Sequence, residues 1–149
     1  MTVRFASMDD LPAILDIEQA SHFHPWPESV LRRYLAKEKT CWVLESNNLV
    51  VAYAVNTLIA GEAELLMIAV SPKQQGKGFG RQLMLAIYQY LQQQQAEQWF
   101  LDVRESNEKA IHLYESLGFA QAGVRPNYYP TANGNEDALL YALAITSDD

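Results

Sequence analysis

The chain has 149 residues, a length typical of one domain with a well-buried core, so we predict a single domain over residues 1–149. Its formal net charge is −7, which argues against nucleic-acid binding, because phosphate recognition needs a basic surface. Its apolar runs are short and its N-terminus lacks a signal-peptide core, so we expect a cytoplasmic protein without membrane contact.

Hydrophobic periodicity predicts the first half of the chain as alternating helical and extended segments. Pro12 falls in the first turn of the first predicted helix, where proline is tolerated. Asn47 and Asn48 separate two apolar runs and form a favoured hairpin turn. The predicted elements are a strand at 3–5, a helix at about 9–20, a helix starting near Pro27, and strands at about 41–45, 49–58 and 62–70.

The second half continues with helices and strands that complete a mixed sheet. A glycine-rich loop leads into a long amphipathic helix, and Gly118 is placed to end the helix that follows. The apolar face of the long helix consists of Leu83, Met84, Ile87, Tyr88 and Leu91. The predicted elements are a helix at about 78–95, a strand at 99–103, a helix at 107–117, and strands at 119–125 and 138–145.

Residues able to hold a metal or form a disulfide are few. Cys41 is the one cysteine, and it precedes an apolar run, so we expect a packed thiol rather than a nucleophile. His22 and His24 alternate like a metal-binding pair, but no third ligand lies near them in the sequence. We therefore expect no metal.

The most informative segment is residues 70–81, Val-Ser-Pro-Lys-Gln-Gln-Gly-Lys-Gly-Phe-Gly-Arg. Glycine lacks a Cβ, so Gly76, Gly78 and Gly80 can turn their N–H groups toward one anionic ligand. The dipole of the following helix adds positive potential at the same place. Basic side chains surround the loop at Lys73, Lys77 and Arg81. The segment predicts a pyrophosphate site; a glycine-rich connection without a ligand is the alternative.

Two common phosphate-binding loops do not match this spacing. A nucleoside-triphosphate loop needs a hydroxyl after its lysine, whereas Gly78 and Phe79 follow Lys77. A dinucleotide-binding loop needs its third glycine where Arg81 stands. The segment instead resembles the Gln/Arg-x-x-Gly-x-Gly/Ala signature of the GNAT N-acetyltransferases, with Gln75 in its first position.

A second segment carries the same resemblance. Residues 101–119 are similar to the C-terminal GNAT motif, in which an Asn opens a helix and a Tyr precedes Gly-Phe. Asn107 and Tyr114 occupy those two positions. This stretch, with residues 125–130 and 136–138, resembles the bacterial ribosomal-protein-alanine N-acetyltransferases (the RimI type), and the similarity extends along nearly the whole chain.

The resemblance implies a fold and a cosubstrate. The GNAT fold is α+β, here a mixed, mostly antiparallel central sheet of about six to seven strands flanked by about four helices. The cosubstrate is acetyl-coenzyme A, whose carbonyl and pyrophosphate are held mainly by main-chain N–H groups. Residue by residue, the implied coenzyme-binding positions are Ile68, Ala69, Val70, Gln75, Gly76, Lys77, Gly78, Phe79, Gly80, Arg81 and Asn107.

Tyr114 is the candidate general acid, because its counterpart in the family protonates the departing thiolate. Periodicity alone favours a different role, since Ala110, Leu113, Tyr114 and Leu117 share one helix face and make Tyr114 a core aromatic. Asn107 has a second role open to it as well, because asparagine is a favoured N-cap.

The candidate general base is Asp102. Enzymes of the resembled type carry a Glu at this position, so the side chain here is one methylene shorter and its reach is reduced. Glu64, in the strand that leads into the glycine loop, is the alternative base. Either carboxylate could instead be a solvated strand residue.

Acceptor binding is predicted at two aromatic loops, residues 22–27 and 127–130. Trp26, Tyr128 and Tyr129 supply contact area at low entropic cost, and proline stiffens both loops. The alternative is that these aromatics are hydrophobic plugs over the ends of the sheet.

Two acidic residues follow the second loop at Glu136 and Asp137. Arg125 precedes the same loop. We expect Arg125 to pair with one of these two carboxylates and so fix the loop.

The resemblance implies transfer of acetyl from acetyl-coenzyme A to the N-terminal alanine amine of a small-subunit ribosomal protein, by direct attack without a covalent enzyme intermediate. Such a partner is basic, and the acidic chain would attract it; a negative charge that serves only solubility is the alternative. A GNAT enzyme for a lysine side chain or a free small amine is the first alternative, and a catalytically silent acyl-coenzyme-binding module is the second. The oligomeric state is left open.

Overall fold

A computed structural model describes residues 1–146 of the chain. In this part there are four α-helices, seven strands and two short 3₁₀ turns, Met8–Asp10 and Pro72–Gln74. The helices are α1 (Leu11–Ser21), α2 (Glu28–Leu35), α3 (Phe79–Gln93) and α4 (Glu108–Ser116); the strands are β1 (Thr2–Phe5), β2 (Cys41–Ser46), β3 (Leu49–Ile59), β4 (Glu62–Val70), β5 (Gln98–Arg104), β6 (Ala120–Thr131) and β7 (Gly134–Ala144).

The seven strands form one sheet in the order β1-β2-β3-β4-β5-β7-β6. Strands β4 and β5 are parallel, whereas the β1–β2, β2–β3, β5–β7 and β6–β7 pairs are antiparallel. The predicted α+β class, with a mixed and mostly antiparallel sheet flanked by about four helices, is confirmed. The chain forms two compact units, residues 1–57 with 66–90, and residues 58–65 with the chain from Leu91 on.

The first unit is built on the β2–β3 hairpin. Asn47 and Asn48 have φ values of 54° and 64°, as a tight hairpin turn with the right twist requires, so the predicted turn is confirmed. Helices α1 and α2 bury their apolar faces in one core with the hairpin. The buried members of this core are Leu11, Ile14, Ile17, Leu31, Cys41, Val43, Tyr53, Val55 and Ala69.

Helix α3 follows the predicted pattern closely. The prediction placed it at about 78–95, and it spans Phe79–Gln93. Four residues of its predicted apolar face, Leu83, Met84, Ile87 and Leu91, are fully buried. A helix anchored by such a face has one preferred rotation about its axis, which fixes which of its side chains face the core.

The second unit places α4 on a sheet made of β5, β6 and β7. The Tyr141 hydroxyl donates to Glu115 Oε2 of α4 at 3.0 Å. Phe119 packs between two aromatic rings, with its centroid 5.2 Å from that of Trp99 and 5.9 Å from that of Tyr114. These contacts hold α4 against the face of β5 that carries Trp99 and Leu101, both buried.

Strand β6 is longer than predicted. The prediction ended this strand at Arg125 and treated residues 127–130 as a loop, which is wrong, because β6 continues to Thr131. The register with β7 shifts between Arg125 and Tyr129, and Asn127 has a φ of 54°. A bulge of this kind accommodates residues that a regular ladder excludes, including prolines.

Cys41 is 4% exposed, and burial raises the pKa of its thiol to about 12. The expected packed thiol is therefore what the structure contains. Across residues 1–146 the helices are too short or too polar to span a bilayer.

Glu18 is a fully buried carboxylate in α1. Its Oε2 accepts from the backbone N–H of Trp26 at 2.8 Å, and its Oε1 accepts from the Tyr53 hydroxyl at 2.5 Å. His22 Nε2 lies 3.4 Å from the same Oε1. Burial first, and then the charge of Glu18, raises the pKa of Tyr53, so the phenol stays protonated and donates. One buried side chain thus ties α1, β3 and the segment after α1 together.

We expect Glu18→Ala to lower the free energy of unfolding by about 2–4 kcal/mol, because it leaves two buried donors without an acceptor. Urea titration at neutral pH measures this loss. Glu28→Ala is the matched control: Glu28 is exposed and pairs with Arg32 at 2.7 Å, so its removal should cost less than about 0.5 kcal/mol. Equal losses in the two variants would contradict a stabilising role of Glu18.

Candidate active site

The glycine loop joins β4 to α3 through the 3₁₀ turn Pro72–Gln74. Gly76 and Gly78 have φ values of 81° and 80°, in the region that residues with a Cβ avoid. A Cβ built on either residue would have no heavy atom within 4 Å, so both face open space. Gly80 lies inside the first turn of α3 with helical backbone, as the predicted helix at about 78–95 implies.

Side chains brace the loop from within. Gln75 Nε2 donates to the carbonyl of Val70 at 3.3 Å, and Lys77 Nζ donates to Gln74 Oε1 at 2.9 Å. The backbone N–H of Ser71 donates to the carbonyl of Val51 at 2.8 Å. The loop is therefore held by its own polar groups and by β3. An α-helix leaves the N–H groups of its first turn without partners in the helix, so the start of α3 is chemically suited to an anion.

The end of β4 extends beyond the parallel ladder. The last registered pair of β4 with β5 is Leu65 with Leu101, whereas β4 continues to Val70. Ala69 is buried, and Ile68 and Val70 are partly buried. Residues 68–70 thus lie past the registered pairs on the β5 edge of β4, a placement compatible with their predicted role.

Asn107 is the N-cap of α4. Its Oδ1 accepts from the backbone N–H of Ala110 at 3.2 Å. The capping role that the sequence left open is thus present, and contact with the coenzyme stays a prediction.

Tyr114 is 5% exposed and lies on the α4 face that packs against Phe119. Burial, and secondly the neighbouring phenol of Tyr129, raises the pKa of Tyr114 above its ordinary value. The core position that periodicity predicts is therefore correct. The same burial keeps the hydroxyl protonated at neutral pH, so a core position and the role of proton donor are compatible.

Asp102 lies near the end of β5 and has a side chain 20% exposed. Its Oδ1 is 3.7 Å from Arg125 Nε, so the expected pairing of Arg125 with Glu136 or Asp137 is wrong. Arg125 pairs in register with Ala138, and Asp102 pairs with Leu140. Paired residues and every second residue along a strand share a face, so Arg125 and Asp102 lie on the same face.

Glu64, the alternative base, is exposed on β4. It pairs in register with Phe100 of β5, which lies two residues before Asp102. Glu64 and Asp102 therefore share a face of the sheet, and Asp102 is the more enclosed of the two carboxylates.

Tyr128 and Tyr129 differ in environment. Burial first, and then the charge of Asp102, raises the pKa of Tyr129 to about 12. The guanidinium carbon of Arg104 lies 4.5 Å from the centroid of the Tyr129 ring. Tyr128 is 51% exposed, with the Arg125 guanidinium 5.4 Å from its ring. Tyr129 and Asp102 lie on one face of the sheet, because their partners on β7 are Glu136 and Leu140.

The segment at 22–27 presents a different aromatic from the one predicted. Trp26 is partly buried against the core, and its ring stacks on Tyr34 at 5.5 Å with an interplanar angle of 25°. The exposed aromatic is Phe23, which is 65% exposed and meets His24 edge-on. Trp26 is therefore a hydrophobic plug in part, and sequence patterning carried no signal to separate it from Phe23.

Arg104 and Glu136 were not among the predicted site residues. Arg104 Nη1 lies 3.0 Å from Glu136 Oε1. Arg104 lies two residues beyond Asp102, on the same face of β5, and this spacing is the one signal that could have found it. Within residues 1–146, no three His, Cys, Asp or Glu side chains are grouped closely enough to hold a metal ion.

Comparison with known proteins gives independent evidence on the family of this chain. Residues 11–119 match the model of the Acetyltransferase (GNAT) family. The chain is 39% identical over 145 residues to the [ribosomal protein bS18]-alanine N-acetyltransferase of Escherichia coli strain K12, covering 97% of this chain and 98% of that protein. The Salmonella typhimurium strain LT2 protein of the same name is 40% identical with the same coverage.

Solved structures agree. The crystal structure of the ribosomal-protein-S18-alanine N-acetyltransferase from Escherichia coli superposes with a TM-score of 0.93 at 39% identity, covering 99% of this chain and 96% of that chain. The Salmonella typhimurium protein yncA, solved with its cofactor acetyl-CoA, has a TM-score of 0.83 at 24% identity, covering 100% and 96% of the two chains, and shares the fold.

We expect Gly78→Ala to weaken the binding of acetyl-coenzyme A by about tenfold or more, because a Cβ at a φ of 80° costs about 1–2 kcal/mol. Isothermal titration calorimetry measures the Kd. Gly134→Ala is the control, since Gly134 also has positive φ and open space but begins β7. Equal Kd values for Gly78→Ala and the unchanged protein would contradict a role of this bend in coenzyme binding.

Proposed function

Because the chain belongs to the GNAT acetyltransferase family, we propose that it acetylates the N-terminal alanine of a small-subunit ribosomal protein, with acetyl-coenzyme A as donor. The observation that carries this proposal is the identity of 39% over 97% of the chain with relatives named for that substrate. The matched length includes the glycine loop, Asp102, Tyr114 and the hairpin formed by β6 and β7. It therefore covers the residues proposed to bind the acceptor as well as those proposed to bind the coenzyme.

The proposed reaction is direct attack of the acceptor amine on the thioester carbonyl. The C–N bond forms, the C–S bond breaks, and no enzyme group is acylated. Main-chain N–H groups at residues 68–70 would hold the carbonyl oxygen as it gains charge. The coenzyme pyrophosphate would lie on the N–H groups of the glycine loop at the start of α3.

Two protons leave the acceptor ammonium during this reaction, and the departing thiolate takes up one. Asp102 is the proposed base, and its partial enclosure beside Tyr129 supports it over the exposed Glu64. Tyr114 is the proposed acid, because burial keeps its hydroxyl protonated. The rise in the pKa of Tyr114 also means that the phenol must be reprotonated as it donates, and the proton released by the amine balances that step.

The modest strength of an aspartate as base fits an N-terminal amine. An α-amine with a pKa near 8 costs about 1.4 kcal/mol to deprotonate at pH 7, whereas a lysine with a pKa near 10.4 costs about 4.6 kcal/mol. The shorter side chain of Asp102 therefore limits the rate less with an N-terminal amine as acceptor than with a lysine.

The charge of the chain supports a basic acceptor. At a net charge of −7 the enzyme attracts basic polypeptides over distances beyond contact, which raises their association rate at low ionic strength. Ribosomal proteins are basic polypeptides of the cytoplasm, and we propose the same compartment for this enzyme.

The test is acetylation of a synthetic peptide that begins with alanine and contains an internal lysine. Tandem mass spectrometry locates the acetyl group. The proposal predicts modification of the α-amine and none when that amine is blocked. Modification of the lysine, or acetylation of free small amines in preference to the peptide, would overturn the proposed acceptor and leave the donor chemistry standing.

Replacing Tyr114 by Phe should lower kcat by about a hundredfold or more, because the thiolate loses its proton donor while the ring keeps its packing on Phe119. The Kd of acetyl-coenzyme A should change by less than about twofold. Steady-state kinetics with thiol detection, together with calorimetry, measures both quantities. Turnover equal to that of the unchanged enzyme would remove Tyr114 from the mechanism.

The two candidate bases are separated by isosteric replacement. Asp102→Asn should reduce kcat by about a hundredfold, whereas Glu64→Gln should reduce it by less than about threefold. Both variants keep side-chain volume and lose one charge, so each controls for the other. A larger loss in Glu64→Gln would transfer the role of base to Glu64.

A further inference from the structure

Arg104, two residues beyond the proposed base, contacts three residues of the hairpin formed by β6 and β7. Its Nη1 donates to the carbonyl of Pro130 at 3.0 Å and to Glu136 Oε1 at 3.0 Å. Its guanidinium carbon lies 4.5 Å from the centroid of the Tyr129 ring. The side chain is 29% exposed, so these contacts are partly shielded from water. A planar guanidinium can stack on a ring and donate along its edge at the same time.

Glu136 is itself fixed in place. The Ser106 hydroxyl donates to Glu136 Oε1 at 3.0 Å, and the Glu136 side chain is 14% exposed. The bonds from Ser106 and then from Arg104 lower the pKa of Glu136, so it is anionic at neutral pH. Arg104 therefore has a permanent counter-ion, held by the turn that follows β5.

The segment that Arg104 contacts lacks continuous support from the sheet. The register of β6 with β7 shifts between Arg125 and Tyr129, and Asn127 takes positive φ there. The N–H of Asn127 donates to Asp137 Oδ1 at 2.9 Å, a side-chain bond in place of a ladder bond. Tyr129 re-enters the ladder opposite Glu136 directly after the bulge, so the sheet sets the face on which Tyr129 lies and its side-chain contacts set its rotamer.

We propose that Arg104 is a positioning residue of the acetyl transfer, which fixes the Tyr129 ring on the face of the sheet that carries Asp102, for contact with the acceptor. The inference rests on the proposed function, because that function supplies the peptide acceptor that Tyr129 would contact. In this role Arg104 needs no contact of its own with acceptor or coenzyme. It acts through the orientation of the Tyr129 ring.

The test begins with Arg104→Gln and Arg104→Lys. We expect Arg104→Gln to raise the KM for the alanine-starting peptide by about tenfold, while the Kd of acetyl-coenzyme A changes by less than about twofold. Lysine keeps the charge beside Glu136 but cannot stack on the ring and donate at the same time. The peptide KM of Arg104→Lys should therefore lie between those of the unchanged enzyme and Arg104→Gln. Arg32→Gln, which removes an exposed arginine paired with Glu28, is the matched control and should leave the peptide KM unchanged.

A double-mutant cycle separates positioning from general support. In a Tyr129→Leu background the ring that Arg104 orients is gone, so adding Arg104→Gln should raise the peptide KM by less than about twofold. A full additional tenfold rise would show that Arg104 acts by another route and would overturn the inference.

If Arg104→Gln does not fold, Glu136→Gln tests the inference in its place. It weakens the hold on Arg104 without removing it, so the peptide KM should rise in the same direction by about threefold. An unchanged peptide KM in Arg104→Gln would overturn the inference and leave the proposed function intact. If only Glu136→Gln folds, an unchanged peptide KM in that variant has the same meaning. An unchanged enzyme without activity on the peptide would overturn both.

Discussion

Left-handed backbone at Gly76 and Gly78 is the constraint on which the donor side of this enzyme depends. These two residues let the chain turn from the end of β4 into α3 while their faces stay open to a ligand. The buried face of α3 then packs that helix in one rotation about its axis. Side chains contribute bracing, such as the bond from Gln75 to the carbonyl of Val70, and the main chain is the proposed binding surface.

On the acceptor side, one small residue organises the charges. Ala138 is fully buried and pairs in register with Arg104 on one neighbouring strand and Arg125 on the other. Two guanidinium groups on one face of a sheet repel each other unless each has a carboxylate. Glu136 pairs with Arg104, and Asp102 pairs with Arg125. The proposed base is therefore part of an alternating set of charges, in which each arginine also lies over a tyrosine ring.

The sequence predicted what depends on local pattern. The face of α3, the Asn47-Asn48 turn and the cap at Asn107 follow from spacing and residue type, and all are present. It failed where strand register decides. Pro126 and Pro130 made residues 127–130 read as a loop, but a bulge admits both into β6. The partner of Arg125 was missed because strand alternation puts Asp137 on the opposite face from Arg125, and Glu136 is engaged by Arg104.

Direct observation of the bound donor tests the central claim, that main-chain N–H groups of the glycine loop hold the coenzyme pyrophosphate. A crystal structure with acetyl-coenzyme A bound should place pyrophosphate oxygens within hydrogen-bonding distance of backbone N–H groups between Gln75 and Arg81. Pyrophosphate bound elsewhere, or held there by lysine and arginine side chains alone, would contradict the account.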